Sequence, residues 1–215
     1  CFFGVFCLIV THLKLPETLP KNEKTQISIK YILTNYIELA SNKKFIGYSL
    51  CSAFAFGGMF SYISGSSFFF INFFKLTPEL FSLLFGINVI SLMCGAALNA
   101  ALVKKFGTNY MLSVGVIFSL TFGCALLLVS YFKLGGYFGI VLTLFLYMPS
   151  VMIIGANATA NALSIYKNKT GLSSSLMGAT QFGIGALAGI SVGYLYNYSP
   201  FSMCYIISTC GFLSF

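Results

Sequence analysis

The sequence predicts an all-α integral membrane protein, and three observations carry that prediction. Hydrophobic residues make up 58% of the chain and charged residues only 7%, with a mean hydropathy of +0.90, whereas a soluble domain carries roughly 25% charged residues. The apolar residues fall into charge-free runs longer than the roughly 20 residues that an α-helix needs to cross a bilayer core. The 12 lysines sit in short clusters between those runs, so the net charge of +8 reads as a topology signal and not as a soluble nucleic-acid-binding face.

Residues 1–10 are apolar, but ten residues are too few to cross a membrane, and no basic start marks a signal peptide. They read as the tail of an earlier helix. Pro16 and Pro20 then force an extended exit. Between Thr25 and Ser41, Ile29, Ile32, Leu33, Tyr36, Ile37 and Ala40 recur at helical spacing. Ser28, Lys30, Thr34, Asn35, Glu38 and Ser41 take the other side, which predicts an amphipathic helix on the membrane or on the underside of the protein.

Residues 45–74 hold 30 charge-free residues, and residues 80–103 hold 24 more after a short link containing Lys75, Pro78 and Glu79. In the second run Asn88, Gly95 and Asn99 share one narrow helical face with Ser91 beside it. That face requires protein or water rather than lipid. The run stops at Lys104 and Lys105, since each lysine costs about 2.5–3.5 kcal/mol at a membrane centre. Residues 106–132, 134–166 and 170–215 are charge-free apart from the lysines that separate them, and the last holds one full span and part of another, with the break at Asn197 to Pro200. Pro149 lies inside the fourth span, where it removes a backbone hydrogen bond and predicts a kink. The chain begins at Cys1 without a methionine and ends on Phe215 within an apolar run, so it reads as a fragment with five complete spans and a partial helix at either end.

Lysine placement orients the spans. With the segment before Phe45 cytoplasmic, one side holds Lys14, Lys21, Lys24, Lys30, Lys43, Lys44, Lys104, Lys105, Lys167 and Lys169, and the other only Lys75 and Lys133. Ten against two is a strong positive-inside bias. Six hydrophobic segments after a long cytoplasmic loop form the layout of the second half of a twelve-helix transporter.

Particular stretches strengthen that layout: LPETLP at 15–20, NKKFIGYSL at 42–50, SYISGSSFFF at 61–70, LFGINVISLMCGAALNAALVKKFG at 84–107, GANATANAL at 155–163 and SSSLMGATQFGIGAL at 173–187. In this order they resemble the Bcr/CflA, bicyclomycin-resistance-type branch of the major facilitator superfamily. The resemblance implies the C-terminal six-helix half of a major facilitator fold. Residues 1–13 would end helix 6, residues 14–44 would form the cytoplasmic loop between halves with its amphipathic helix, and residues 45–215 would carry helices 7–12, the last truncated. It implies proton-coupled efflux of drugs or small metabolites across a bacterial inner membrane, with the lipid bilayer, a small-molecule substrate and an N-terminal six-helix half as partners. Lys104 stands where the superfamily's loop signature usually has an acidic residue, which points to a gating charge network mainly in the other half. Import of a metabolite and a non-transporting remnant or assembly subunit remain open.

Chemistry within the spans is sparse. The four acidic residues, Glu17, Glu23, Glu38 and Glu79, all lie outside them, and His12 is the only histidine. With no acid pair, no nucleophile–histidine pairing and no phosphate loop, an enzyme is not expected; neither is a metal site or a cofactor, the energy source being a proton gradient. The seven cysteines lie inside apolar runs without C-x-x-C spacing and read as packing residues. Asn157-Ala-Thr159 and Asn168-Lys-Thr170 match a glycosylation pattern but fall at the cytoplasmic side and are discounted.

What the spans offer is amide, hydroxyl and aromatic groups. Gln181 is the leading cavity candidate, because its side chain in lipid would leave donors and acceptors without water. Tyr62, Ser66 and Asn88 are the other substrate-cavity candidates. Asn99, Asn157 and Asn161, nearer the cytoplasmic ends, are candidates for gating hydrogen bonds, with Lys104, Lys105, Gly107 and Pro149 beside them. Gly185 and Gly189, spaced by four from Gln181, are candidates for close helix packing.

Overall fold

The computed structural model describes residues 2–14, 29–196 and 201–215 and divides the chain into two units, Cys1–Thr34 and Asn35–Phe215. The described residues contain no strand. The stretch 15–28, with LPETLP, Lys21, Lys24 and the first residues of the amphipathic segment, lies outside the described residues, as does the break at 197–200.

In the first unit, α1 (Phe2–Lys14) is an apolar helix with Phe3, Leu8 and Leu13 exposed. α2 (Ile29–Ser41) begins in this unit and ends in the second. Its protein-facing side lies at one edge of the predicted apolar face, with Ile32 and Tyr36 half-buried. Asn35 and Leu39 are buried, whereas Ile29, Leu33 and Ile37 are exposed. Leu39, which falls beside Ile32 on the helix, is fully buried in a cluster with Phe45, Ala162 and Met177, and Tyr36 packs against it. The outward stripe of Ile29, Leu33 and Ile37 is then free to meet lipid.

The second unit continues with α3 (Lys43–Ser67), α4 (Pro78–Phe106), α5 (Thr108–Tyr131), α6 (Gly136–Ile165), α7 (Thr170–Tyr196) and α8 (Ser202–Leu213). Five helical segments are long and apolar enough to cross a membrane, and α8 is shorter. In the most apolar windows of the spans formed by α3 and α6, 50% and 56% of residues are buried, against 22% in α4, 28% in α5 and 22% in the span that includes α7. α3 and α6 are therefore the central pair, and the other three present most of their surface outward.

Local chemistry sets the helix ends. Asn42 caps α3 by accepting from the backbone N–H of Lys44 and Phe45, at 3.0 and 3.1 Å. Thr77 caps α4 through the N–H of Leu80, with Pro78 in the first turn, where a missing N–H costs nothing. Lys75 and Lys133 both adopt positive φ, 56° and 53°, in the turns that follow α3 and α5.

The run 45–74 is not a uniform α-helix. After Ser67 it widens into a π-helical turn, Phe68–Phe73, in which the Phe74 N–H reaches Phe69 O at 3.2 Å. The wider turn buries consecutive rings: Phe69 packs edge-on against Phe201 at 5.6 Å, and Phe70 meets Phe81 at 6.3 Å. An aromatic plug thus ties the end of α3 to the starts of α4 and α8. At the opposite end Phe45 packs on Tyr166 at 6.1 Å, the Tyr36 hydroxyl bonds with Ser175 Oγ at 2.8 Å, and Lys169 pairs with Glu38 at 2.6 Å. The ends bearing Lys43, Lys44, Lys167 and Lys169 therefore lie together, as the lysine count requires.

Candidate functional site

A lipid chain is as apolar as leucine, so close backbone approach and hydrogen bonds, more than apolar burial, must hold spans together. The α4–α6 contact shows both. The buried residues of α4 are Leu84, Asn88, Ser91, Gly95 and Asn99, the polar face expected from their spacing. Pro149 has no N–H to give to the carbonyl of Phe145, four residues before it. Ser91 Oγ donates to that carbonyl instead. α6 accordingly runs unbroken through Pro149, a hydroxyl from its neighbour replacing the lost backbone bond. One turn along, a Cβ on Gly95 would fall 2.5 Å from Pro149 Cα, so only glycine permits this crossing.

Towards the lysine-rich end the amides form a network. Asn157 Nδ2 donates to Asn99 Oδ1 at 2.5 Å and to its own helix at Ile153 O, 2.7 Å. Asn161 Nδ2 donates to Asn109 Oδ1 at 2.9 Å, and Thr108 Oγ1 donates to Asn161 Oδ1 at 2.6 Å. Gly107 makes this possible: its φ of 80° lets a single residue join α4 to α5 and brings Thr108 and Asn109 back towards α6. Lys104 and Lys105 stand outside the network, exposed, with Lys105 Nζ 5.3 Å from the centre of the Phe106 ring.

Beside the network, α3, α4, α6 and α7 meet around a groove of about 440 Å³. Phe56, Met152 and Gly155 supply apolar wall, and Asn99, Thr159 and Gln181 supply three polar points. Gln181 Nε2 donates to Ser52 Oγ at 2.6 Å, which fixes the amide across the α3–α7 interface. Further along α7, a Cβ on Gly185 would lie 2.9 Å from Phe60 and one on Gly189 2.8 Å from Ser64 Oγ, so both glycines are pressed against α3.

The other cavity candidates lie elsewhere. Tyr62 stacks on Phe85 with ring centres 5.3 Å apart, and its buried hydroxyl faces the Asn88 amide. Asn88 donates to Leu84 O at 3.0 Å, and its Oδ1 is buried with no partner. Ser66 is buried as well, its hydroxyl also without a partner. The structure thus separates Tyr62, Ser66 and Asn88 from Gln181 and puts Asn99 with Gln181. Helix polarity explains this: Asn88 and Asn99 are eleven residues apart on one face, about 16 Å along the axis at 1.5 Å per residue.

Sequence reading missed Ser52, Thr159, Thr108 and Asn109. A signal was present for Thr159, because Met152, Gly155, Ala156 and Thr159 follow an i, i+3, i+4, i+7 pattern on α6. Among the described residues no three His, Cys, Asp or Glu side chains converge as a metal site would need.

Five bilayer-length helices, two of them forming a central pair, with a groove where four of them meet, define a multi-pass membrane protein. The chain is 24% identical over 211 residues, 98% of its length, to the bicyclomycin resistance protein homolog of Haemophilus influenzae. It is 26% identical over 194 residues, 88% of its length, to the "Uncharacterized MFS-type transporter YdgK" of Bacillus subtilis. The resemblance seen in the motifs extends along nearly the whole chain. The chain spans about half the length of these curated relatives, 53% and 47%. No family model matches it.

Proposed function

We propose that the chain is the C-terminal half of a secondary active transporter that exports drugs or small metabolites across the bacterial inner membrane. The observation that carries this reading is the groove between α3, α4, α6 and α7, largely apolar with Asn99, Thr159 and Gln181 at its wall. Most binding energy there would come from apolar contact, with the amides orienting one or two polar groups of the substrate, which suits a permissive carrier. An N-terminal six-helix half would close the other side of the groove. Rocking of one half against the other would then expose it alternately to either face.

Proton entry is the proposed energy source. An intramembrane carboxylate is the usual carrier of a coupled proton, and all four acidic residues here lie outside the predicted spans. The carrier is therefore assigned to the N-terminal half. The test is drug accumulation in an efflux-deficient bacterium expressing the full reading frame, with and without collapse of the proton gradient. Gradient-dependent lowering of accumulation, with a changed drug profile in Gln181→Ala, supports the reading. Unchanged accumulation while the protein reaches the membrane removes drug export.

A further inference from the structure

We propose that Asn99 is a one-way hydrogen-bond donor in the inner groove, aimed there by Asn157, so that the groove selects uncharged molecules bearing a carbonyl-type acceptor. This deepens the transport reading of the groove and rests on it. The direction is set by a backbone atom. Ile153 O can only accept, so the Asn157 atom 2.7 Å from it is the amide nitrogen. The same nitrogen lies 2.5 Å from the Asn99 side chain and gives it the second hydrogen. With both hydrogens of Asn157 Nδ2 committed, Asn99 must turn its oxygen towards Asn157. Its own Nδ2, with two N–H groups, is left over. Among the described residues that nitrogen has no partner, yet it is not sealed inside the protein, because Asn99 lines the groove.

The other polar points of the wall lack this direction. Gln181 is tied to Ser52 Oγ at 2.6 Å, and a hydroxyl donates or accepts, so the Gln181 amide can be turned over and present either atom. The Thr159 hydroxyl also serves as donor or acceptor. Asn99 alone is held to one role. No lining residue is charged, so this wall offers nothing against the cost of desolvating an ion, whereas a neutral carbonyl finds a donor already in place. Asn99 is thus the selecting residue and Asn157 the positioning one.

The test is equilibrium binding, not transport, to the full reading frame's product purified in detergent. Two probes of matched shape are compared: acetylnaphthalene, which carries a carbonyl, and isopropenylnaphthalene, which has a methylene in its place. The preference for the ketone over the alkene should be about five- to tenfold greater in the native protein than in Asn99→Leu, the value of one hydrogen bond. Asn157→Leu releases the Asn99 amide and should lower the preference about twofold, because only one of two orientations donates. Damage to packing alone weakens both probes together and leaves their ratio unchanged. Equal ratios in the native protein and Asn99→Leu overturn the inference while leaving the groove as the path of a carrier. An unchanged ratio in Asn157→Leu overturns the positioning role. Absence of saturable binding by either probe removes the groove as a ligand site, and the inference with it. If Asn99→Leu does not reach the membrane, Asn99→Ala supplies the same comparison.

Discussion

The two ends of the α3–α4–α6 assembly use the same kinds of residue to opposite effect. At the lysine-rich end, Asn99, Asn157 and Asn161 find partners in one another and in Thr108, Asn109 and Ile153 O. At the other end, Tyr62, Ser66 and Asn88 each keep a buried polar atom without one. Between them Gly95 lies against Pro149, and Ser91 holds the Phe145 carbonyl. A satisfied network rigidifies, whereas an unsatisfied one carries a desolvation penalty that a ligand can relieve. The difference separates a satisfied amide cluster from one that is not, although both read alike as polar residues in a span.

The largest effect is expected where the two ends meet. Gly95→Leu forces a branched side chain into the Pro149 backbone and should cost about 3 kcal/mol or more, seen as loss of folded protein in detergent thermal melts. If it is tolerated, the ends are not joined through this crossing.

The contrast itself is sharpened by paired substitutions. Asn157→Leu strands Asn99 Oδ1 and should destabilise by about 1–3 kcal/mol, while Asn88→Leu, which removes an orphaned oxygen, should stay within about 1 kcal/mol of the native protein. Equal losses from the two would erase the distinction between the ends. Ser91→Ala should cost about 1 kcal/mol in the native chain and close to nothing in Pro149→Ala, where the Phe145 carbonyl regains a backbone donor. A double-mutant cycle in the same melts measures the coupling, and additive losses would mean that Ser91 does not stand in for the missing N–H.

The smallest effect belongs to the strap at the lysine-rich end. Glu38→Gln removes a partly exposed ion pair with Lys169 and should change stability by no more than about 1 kcal/mol, an effect that fades at high salt. Leu39→Ala, which opens a fully buried site between α2 and the Phe45–Ala162–Met177 cluster, should cost more, about 2–3 kcal/mol. A larger loss from Glu38→Gln than from Leu39→Ala would show that charge, rather than packing, docks α2.

The spans and their number were legible in the sequence, because bilayer thickness and the cost of burying lysine act on the chain locally. So was the polar face of α4, since Asn88, Ser91, Gly95 and Asn99 are placed by helical periodicity alone. Three features were decided only by tertiary packing. The docking of α2 turned on where Leu39 could insert, the run after Ser67 widened into a π turn as its rings packed on Phe201, and the Phe145 carbonyl freed by Pro149 was met by a hydroxyl 54 residues from it in sequence. The same holds for which polar side chains share a groove. Gln181 and Asn99 are brought together by the crossing of α4, α6 and α7, while Asn88, on the same face as Asn99, is held about half of a bilayer core away. Periodicity fixes the side of a helix that a residue occupies, but a partner depends on depth and on the neighbouring helix, and both are properties of the packed assembly.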